Sequence, residues 1–220
     1  MYFDNKLLLY SLISLLLLLF FTALSYKLNL VDIPNKRKIH KKPIAFTGGI
    51  GLGFSYITLS FLYNFSNVGL SYIISISLLI SIFGLIDDKF NISLSSKLSL
   101  QSLPILMIIF FDNQTLNTLG VYYNISINLN TFSVPITLLS VLFLINSANY
   151  FDGTDGSLVC TSMSTFLILF FLIDDVEIKK FIILIVIPMS IFLLFNFSLF
   201  GLPKLFLGDS GSWLIGLLIS

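Results

Sequence analysis

The sequence holds one cysteine, Cys160, and one histidine, His40, among 220 residues. A single thiol excludes any disulfide within the chain. One Cys with one His cannot build a zinc site of the usual tetrahedral kind. A metal bound here must be a hard cation held by oxygen. Charge is scarce as well: 10% of the residues are Asp, Glu, Lys or Arg, against roughly 25% in soluble domains. The formal net charge is +1, which gives no reason to expect nucleic acid as a partner. What abounds is apolar, with 56% of the residues hydrophobic. So short a chain cannot hide that much apolar surface in a core of its own, so lipid must be the solvent for most of it.

The apolar runs are 7–26, 48–63, 70–86, 98–111, 132–147, 158–173, 181–200 and 213–220. The first could be read as a signal peptide. No small-residue cleavage site follows it, and it has the length of a bilayer crossing, about 20 residues, so it reads as a retained helix. Together the runs predict an all-α polytopic transmembrane bundle of about eight spans, with residues 1–220 forming one integral membrane domain. Between the fourth and fifth runs, 113–130 alternates polar and apolar residues, which predicts a small surface hairpin.

Lysine and arginine set the orientation. Lys27, Lys36, Arg37, Lys38, Lys41, Lys42, Lys89, Lys97 and Lys204 fall on one side of the predicted bundle, and Lys6, Lys179 and Lys180 on the other. By the positive-inside rule the first side faces the cytoplasm and the N-terminus lies outside.

Four polar segments collect on that basic side, and each has a bland reading. Residues 32–43, running into Thr47, Gly48 and Gly49, could be an anchor for anionic lipid heads. Alternatively, the glycine pair could let backbone N–H groups approach a phosphate at a helix start, though close helix packing explains it equally well. Asp87 and Asp88 end an apolar run. They are either a solvated stop or a Mg²⁺ or general-base site. Residues 146–156 carry Asn146, Asn149, Asp152 and Asp155 with two glycines, which reads as a turn or as oxygen donors for a hard cation. Asp209, between small residues at the start of another run, reads as a helix cap or as a functional acid. The four together suit a phosphate ester bound with a divalent cation.

These residues resemble the polyprenyl-phosphate N-acetylhexosamine-1-phosphate transferases. The matching pieces are 32–40 with Gly48 and Gly49, 84–88 with Lys97 and Gln101, 146–156, and 206–212, in the family's order and spacing. The form of 32–40 is more similar to the O-antigen and teichoic-acid branch than to the peptidoglycan branch.

The resemblance implies that Asp87, Asp88 and Asp152 are catalytic, with Asp87 or Asp88 deprotonating the lipid phosphate and Asp152 beside the substrate or metal. It implies Mg²⁺, or Mn²⁺ in its place, held by Asp209 and Asn149. Lys42 and Lys97 would hold phosphates, and His40, Asn146, Gly48 and Gly49 complete the substrate-binding set. The implied partners are a UDP-sugar, polyprenyl phosphate, membrane lipid and a second copy in a homodimer. The implied place is the bacterial plasma (inner) membrane with a cytoplasmic active face. The reaction would open a cell-surface glycan pathway.

Two departures stand out. Ala45 sits where the family often has proline. The chain also stops at Ser220, before the further helices and the His/Arg-rich loop that members usually carry. It is therefore expected to be a fragment or a truncated, non-catalytic paralogue or assembly partner. A transporter is the competing class, but its coupling residues belong near the midplane, whereas these acids collect at helix ends.

Overall fold

The computed structural model describes residues 5–34, 42–63, 65, 67–123 and 125–220. Among these are eight α-helices: α1 (Asn5–Leu28), α2 (Gly48–Leu62), α3 (Val68–Phe90), α4 (Leu94–Phe111), α5 (Ser133–Phe151), α6 (Ser157–Leu172), α7 (Val176–Asn196) and α8 (Gly208–Ile219). Five apolar stretches, α1, α3, α4, α7 and the one ending in α5, are long enough to cross a membrane. The other three helices are shorter, with 15, 16 and 12 residues. The chain is thus the all-α membrane bundle that its composition requires.

Apolar side chains such as Leu8, Leu16, Phe20, Leu139, Phe143 and Phe171 stay exposed on the outer surface, as a lipid solvent allows. Hydroxyls within the helices bond back to their own backbone, as when Ser14 donates to the Tyr10 carbonyl and Thr22 to that of Leu18. This satisfies a polar group without a partner from water.

Successive helices run up and down, so every second connection lies at the same end. There, Ser25 and Thr47 share a hydroxyl contact of 2.6 Å. Two short strands, β1 (Val31–Asp32) and β2 (Ile44–Ala45), pair antiparallel. Ala45 also bridges to Leu205, and Phe206 donates its N–H to the Ala45 carbonyl at 2.8 Å. The opposite end carries the hairpin, β3 (Thr118–Tyr122) with β4 (Ile125–Asn128), inside the stretch where alternation predicted it.

The shortest helix is the centre. Residues Ser210 to Leu217 of α8 are all buried, held among α2, α3 and α5. Small residues in its first turns let neighbouring backbones come close. A Cβ at Gly49 of α2 would lie 2.0 Å from the Gly211 nitrogen, and one at Gly84 of α3 would lie 2.5 Å from the Ser210 Cα. The N-terminus of α8 is therefore gripped from two sides.

Candidate active site

Helix α3 ends at Asn91, whose left-handed conformation (φ 47°) caps it. Ser93 then starts α4, its side chain accepting the Ser96 N–H. This three-residue turn folds Lys97 back toward the end of α3. Its Nζ lies 2.7 Å from Asp87 Oδ2 and 2.8 Å from Asp209 Oδ2. Asp87 also accepts the Ile92 N–H at 3.2 Å. From α5, Asn149 donates to Asp209 Oδ1 at 2.8 Å and to Ser212 Oγ at 2.9 Å. Residues from α3, α4, α5 and α8 thus converge on one point at the basic end of the bundle.

Asp88 faces a different partner. Its two oxygens accept the backbone N–H groups of Asp209 and Ser210, at 2.9 and 3.2 Å. These are orphan donors of the first turn of α8, so a side chain of α3 caps α8 and sits at its positive end. Asp88→Ala should lower stability by about 1–2 kcal/mol, in line with the loss of an N-cap, and thermal unfolding in detergent will register it as a reduced Tm.

Asp152 follows directly on α5 and is half-buried. No hydrogen bond or ion pair among the described residues engages its carboxylate. Burial, and then the neighbouring charges of Asp209 and Asp155, push its pKa up to about 7. Asp155 itself is paired with Lys204.

The structure brings some of the sequence-predicted residues together and leaves others apart. Asp87, Asp88, Lys97, Asn149 and Asp209 form a single connected cluster. Asn146 stands apart from it: its amide pairs with Gln101, donating to Oε1 at 2.8 Å, and so joins α5 to α4. Gly48 and Gly49 are a correction. Their N–H groups already donate to the carbonyls of Phe206 and Leu207, at 3.0 and 2.9 Å. Backbone and ring atoms fill the space where side chains would stand. The packing alternative left open by the sequence accounts for them, because donors spent on backbone carbonyls cannot cradle a phosphate. Lys42 is exposed just before β2, and His40 lies outside the described residues.

Two contributors carried no signal of their own. Ser212 receives the Asn149 amide. Trp213, the only tryptophan, is fully buried with Lys97 Nζ 5.2 Å from its ring centroid. In the sequence Trp213 looks like the start of another apolar run.

The donor chemistry fits a hard divalent cation. The carboxylates of Asp87 and Asp209 meet at the Lys97 ammonium, with the Asn149 amide beside them and Asp88 close by on α3. Mg²⁺ commonly takes one or two carboxylates and completes its shell with water and substrate phosphates. Among the described residues no group of three or more acidic, His or Cys side chains is placed to hold a metal ion by itself, so a cation here would need water or substrate oxygens to complete its shell.

The family model for glycosyl transferase family 4 matches residues 70–220. The chain is 28% identical over 214 residues to the undecaprenyl-phosphate alpha-N-acetylglucosaminyl 1-phosphate transferase of Escherichia coli O157:H7, covering 93% of this chain and 57% of that protein. It is 30% identical over 197 residues to the protein of the same name from Yersinia pestis, covering 86% and 53%. A probable undecaprenyl-phosphate N-acetylglucosaminyl 1-phosphate transferase of Bacillus subtilis (strain 168) is 26% identical over 218 residues, covering 94% and 60%. The chain therefore spans a little over half the length of these curated relatives.

Proposed function

The chain belongs to glycosyl transferase family 4, and from that footing we propose that it transfers a sugar 1-phosphate from a UDP-N-acetylhexosamine to polyprenyl phosphate. A phosphate oxygen of the lipid attacks the β-phosphorus of the nucleotide sugar. The bond from that phosphorus to the bridging oxygen breaks, UMP leaves, and a polyprenyl diphosphate sugar forms. The observation that carries this reading is the convergence of Asp87, Asp88, Lys97, Asn149 and Asp209 where α3, α4, α5 and α8 meet, in a chain whose relatives bear the transferase name.

In this reading Asp87, Asp209 and Asn149 hold Mg²⁺ or Mn²⁺, which supplies positive charge to the transferring phosphoryl group. Lys97 faces the same group and neutralises further charge. Asp88 keeps α8, and with it Asp209, in place. Proton removal from the lipid phosphate falls to Asp152, because the oxygens of Asp88 are committed to α8 and Asp87 is paired with Lys97. A base with a pKa of about 7 suits proton transfer near neutral pH.

Phe143, Tyr150 and Phe151 form an exposed apolar strip along one side of α5. It runs up to the level of Asn149 and would meet the isoprenoid chain as it enters from lipid. The basic end of the bundle is assigned to the cytoplasm, where UDP-sugars are made.

The test is UMP release by the purified chain in lipid, with labelled UDP-N-acetylglucosamine, undecaprenyl phosphate and Mg²⁺ supplied and then omitted one at a time. Release that needs all three supports the reading, and release indifferent to the lipid phosphate rejects it. A pH profile adds a sign. The Asp152 carboxylate is protonated as pH falls through about 7, so kcat/KM should climb as pH rises through that value. Asp152→Asn should lower kcat/KM at high pH and flatten that limb; an unaltered limb would remove Asp152 from the role.

A further inference from the structure

The Asp87 and Asp209 carboxylates come from different helices, 122 positions apart in the chain, and both end on one nitrogen, Lys97 Nζ, at 2.7 and 2.8 Å. A divalent ion held by Asp87 and Asp209 would compete with that ammonium for the same carboxylate oxygens. The two cannot be there together, since a single charge pressed against a divalent one at contact distance is strongly repelled. Without any cation the carboxylates would repel each other and separate.

We propose that Lys97 is the resident counter-cation of this site: it holds Asp87 and Asp209 in place before a divalent ion binds and leaves them when one does. This rests on the assignment of Asp87, Asp209 and Asn149 as metal-holding residues made above. The lysine stem suits the exchange, because a compact ammonium on a flexible four-carbon chain makes no fixed two-pronged grip on a carboxylate. In its present place the Nζ also lies 5.2 Å from the centroid of the buried Trp213 ring, a contact that adds to the hold of the two carboxylates on the resident ammonium. Once released from them, the flexible side chain would be free to meet a phosphate oxygen. One side chain then serves two stages, first as placeholder and then as phosphate ligand.

The consequence is competition, which binding alone can measure. The probe is Mn²⁺, with the free ion counted by electron paramagnetic resonance in titrations of the purified chain in lipid nanodiscs. Lys97→Met should tighten the apparent Kd for Mn²⁺ by about tenfold, the factor expected if the lysine occupies the site about nine-tenths of the time. Lys97→Arg should weaken it, because a guanidinium clamps two carboxylates through paired donors. Asp209→Asn introduced into the Lys97→Met variant should abolish the tight binding. As a second readout, metal-free Lys97→Met should melt below wild type, and Mn²⁺ should raise its Tm more than it raises that of wild type.

An unchanged or weaker Kd in Lys97→Met, with wild type still binding Mn²⁺ through Asp209, would overturn the proposal and leave the metal assignment standing. Absence of Mn²⁺ binding in every variant, or tight binding that survives Asp209→Asn, would overturn both. Should Lys97→Met fail to fold, Lys97→Arg decides alone: weaker binding supports the exchange, and equal or tighter binding refutes it.

Discussion

Asp209→Asn should cut the rate of UMP release by about 10²–10³-fold or more, the order of loss seen when one preorganised charge-handling group is removed from a reaction centre. The substitution keeps size and shape and removes only charge. In the structure Asp209 is the hub of the cluster, accepting Lys97 on one oxygen and Asn149 on the other. An amide there offers a hard cation one neutral oxygen in place of a carboxylate and leaves Lys97 with Asp87 alone. The fold should survive, because the cap on α8 runs from Asp88 to backbone N–H groups that the change leaves in place. Activity should therefore collapse while Tm moves by only a few degrees. A variant that turns over within about threefold of wild type, a cost of under 1 kcal/mol, would place the reaction centre elsewhere.

Gly49→Ala should have the largest effect on the fold itself. The new Cβ would lie 2.0 Å from the Gly211 nitrogen and 2.3 Å from both the Gly211 Cα and the Ser210 carbonyl carbon. All three are backbone atoms, so no rotamer change relieves the clash, and α2 and α8 must separate by more than an ångström. Overpacking usually costs about 1–3 kcal/mol and occasionally more. A clash with backbone on the central helix belongs at or above the top of that range. Size-exclusion profiles and thermal unfolding in detergent should show loss of the monodisperse, folded protein. Gly153→Ala is the control: nothing lies within 4 Å of its Cβ position, and the protein should behave as wild type. Equal behaviour of the two variants would mean that α2 and α8 do not meet as described.

Helices and the clustering of polar residues at one end were legible in the sequence, because each is a local property. A run of apolar residues must satisfy its own backbone in lipid, so it becomes a helix whatever its neighbours are. The alternation of 113–130 announced the hairpin for the same reason. The pair Asp87 and Asp88 shows where legibility stopped. Adjacent residues on a helix point about 100° apart, so one meets Lys97 and the other meets α8. Nothing in the two letters says which is which. Gly48 and Gly49 were ambiguous in the same way. A glycine pair at a helix start can serve a phosphate or a neighbouring helix, and the choice depends on what stands opposite. Here that is the chain at Phe206 and Leu207, more than 150 residues later.

The sequence by itself determined that this chain lives in lipid as a helical bundle with its polar chemistry at one end, since hydropathy, charge placement and motif spacing act within single segments. Only the tertiary structure decided the division of labour among the acids. It made Asp88 a cap, Asp87 and Asp209 a pair around Lys97, and Asp152 a carboxylate left without a partner among the described residues. Those roles depend on contacts between residues as much as 122 positions apart, which helix packing creates and no local pattern records.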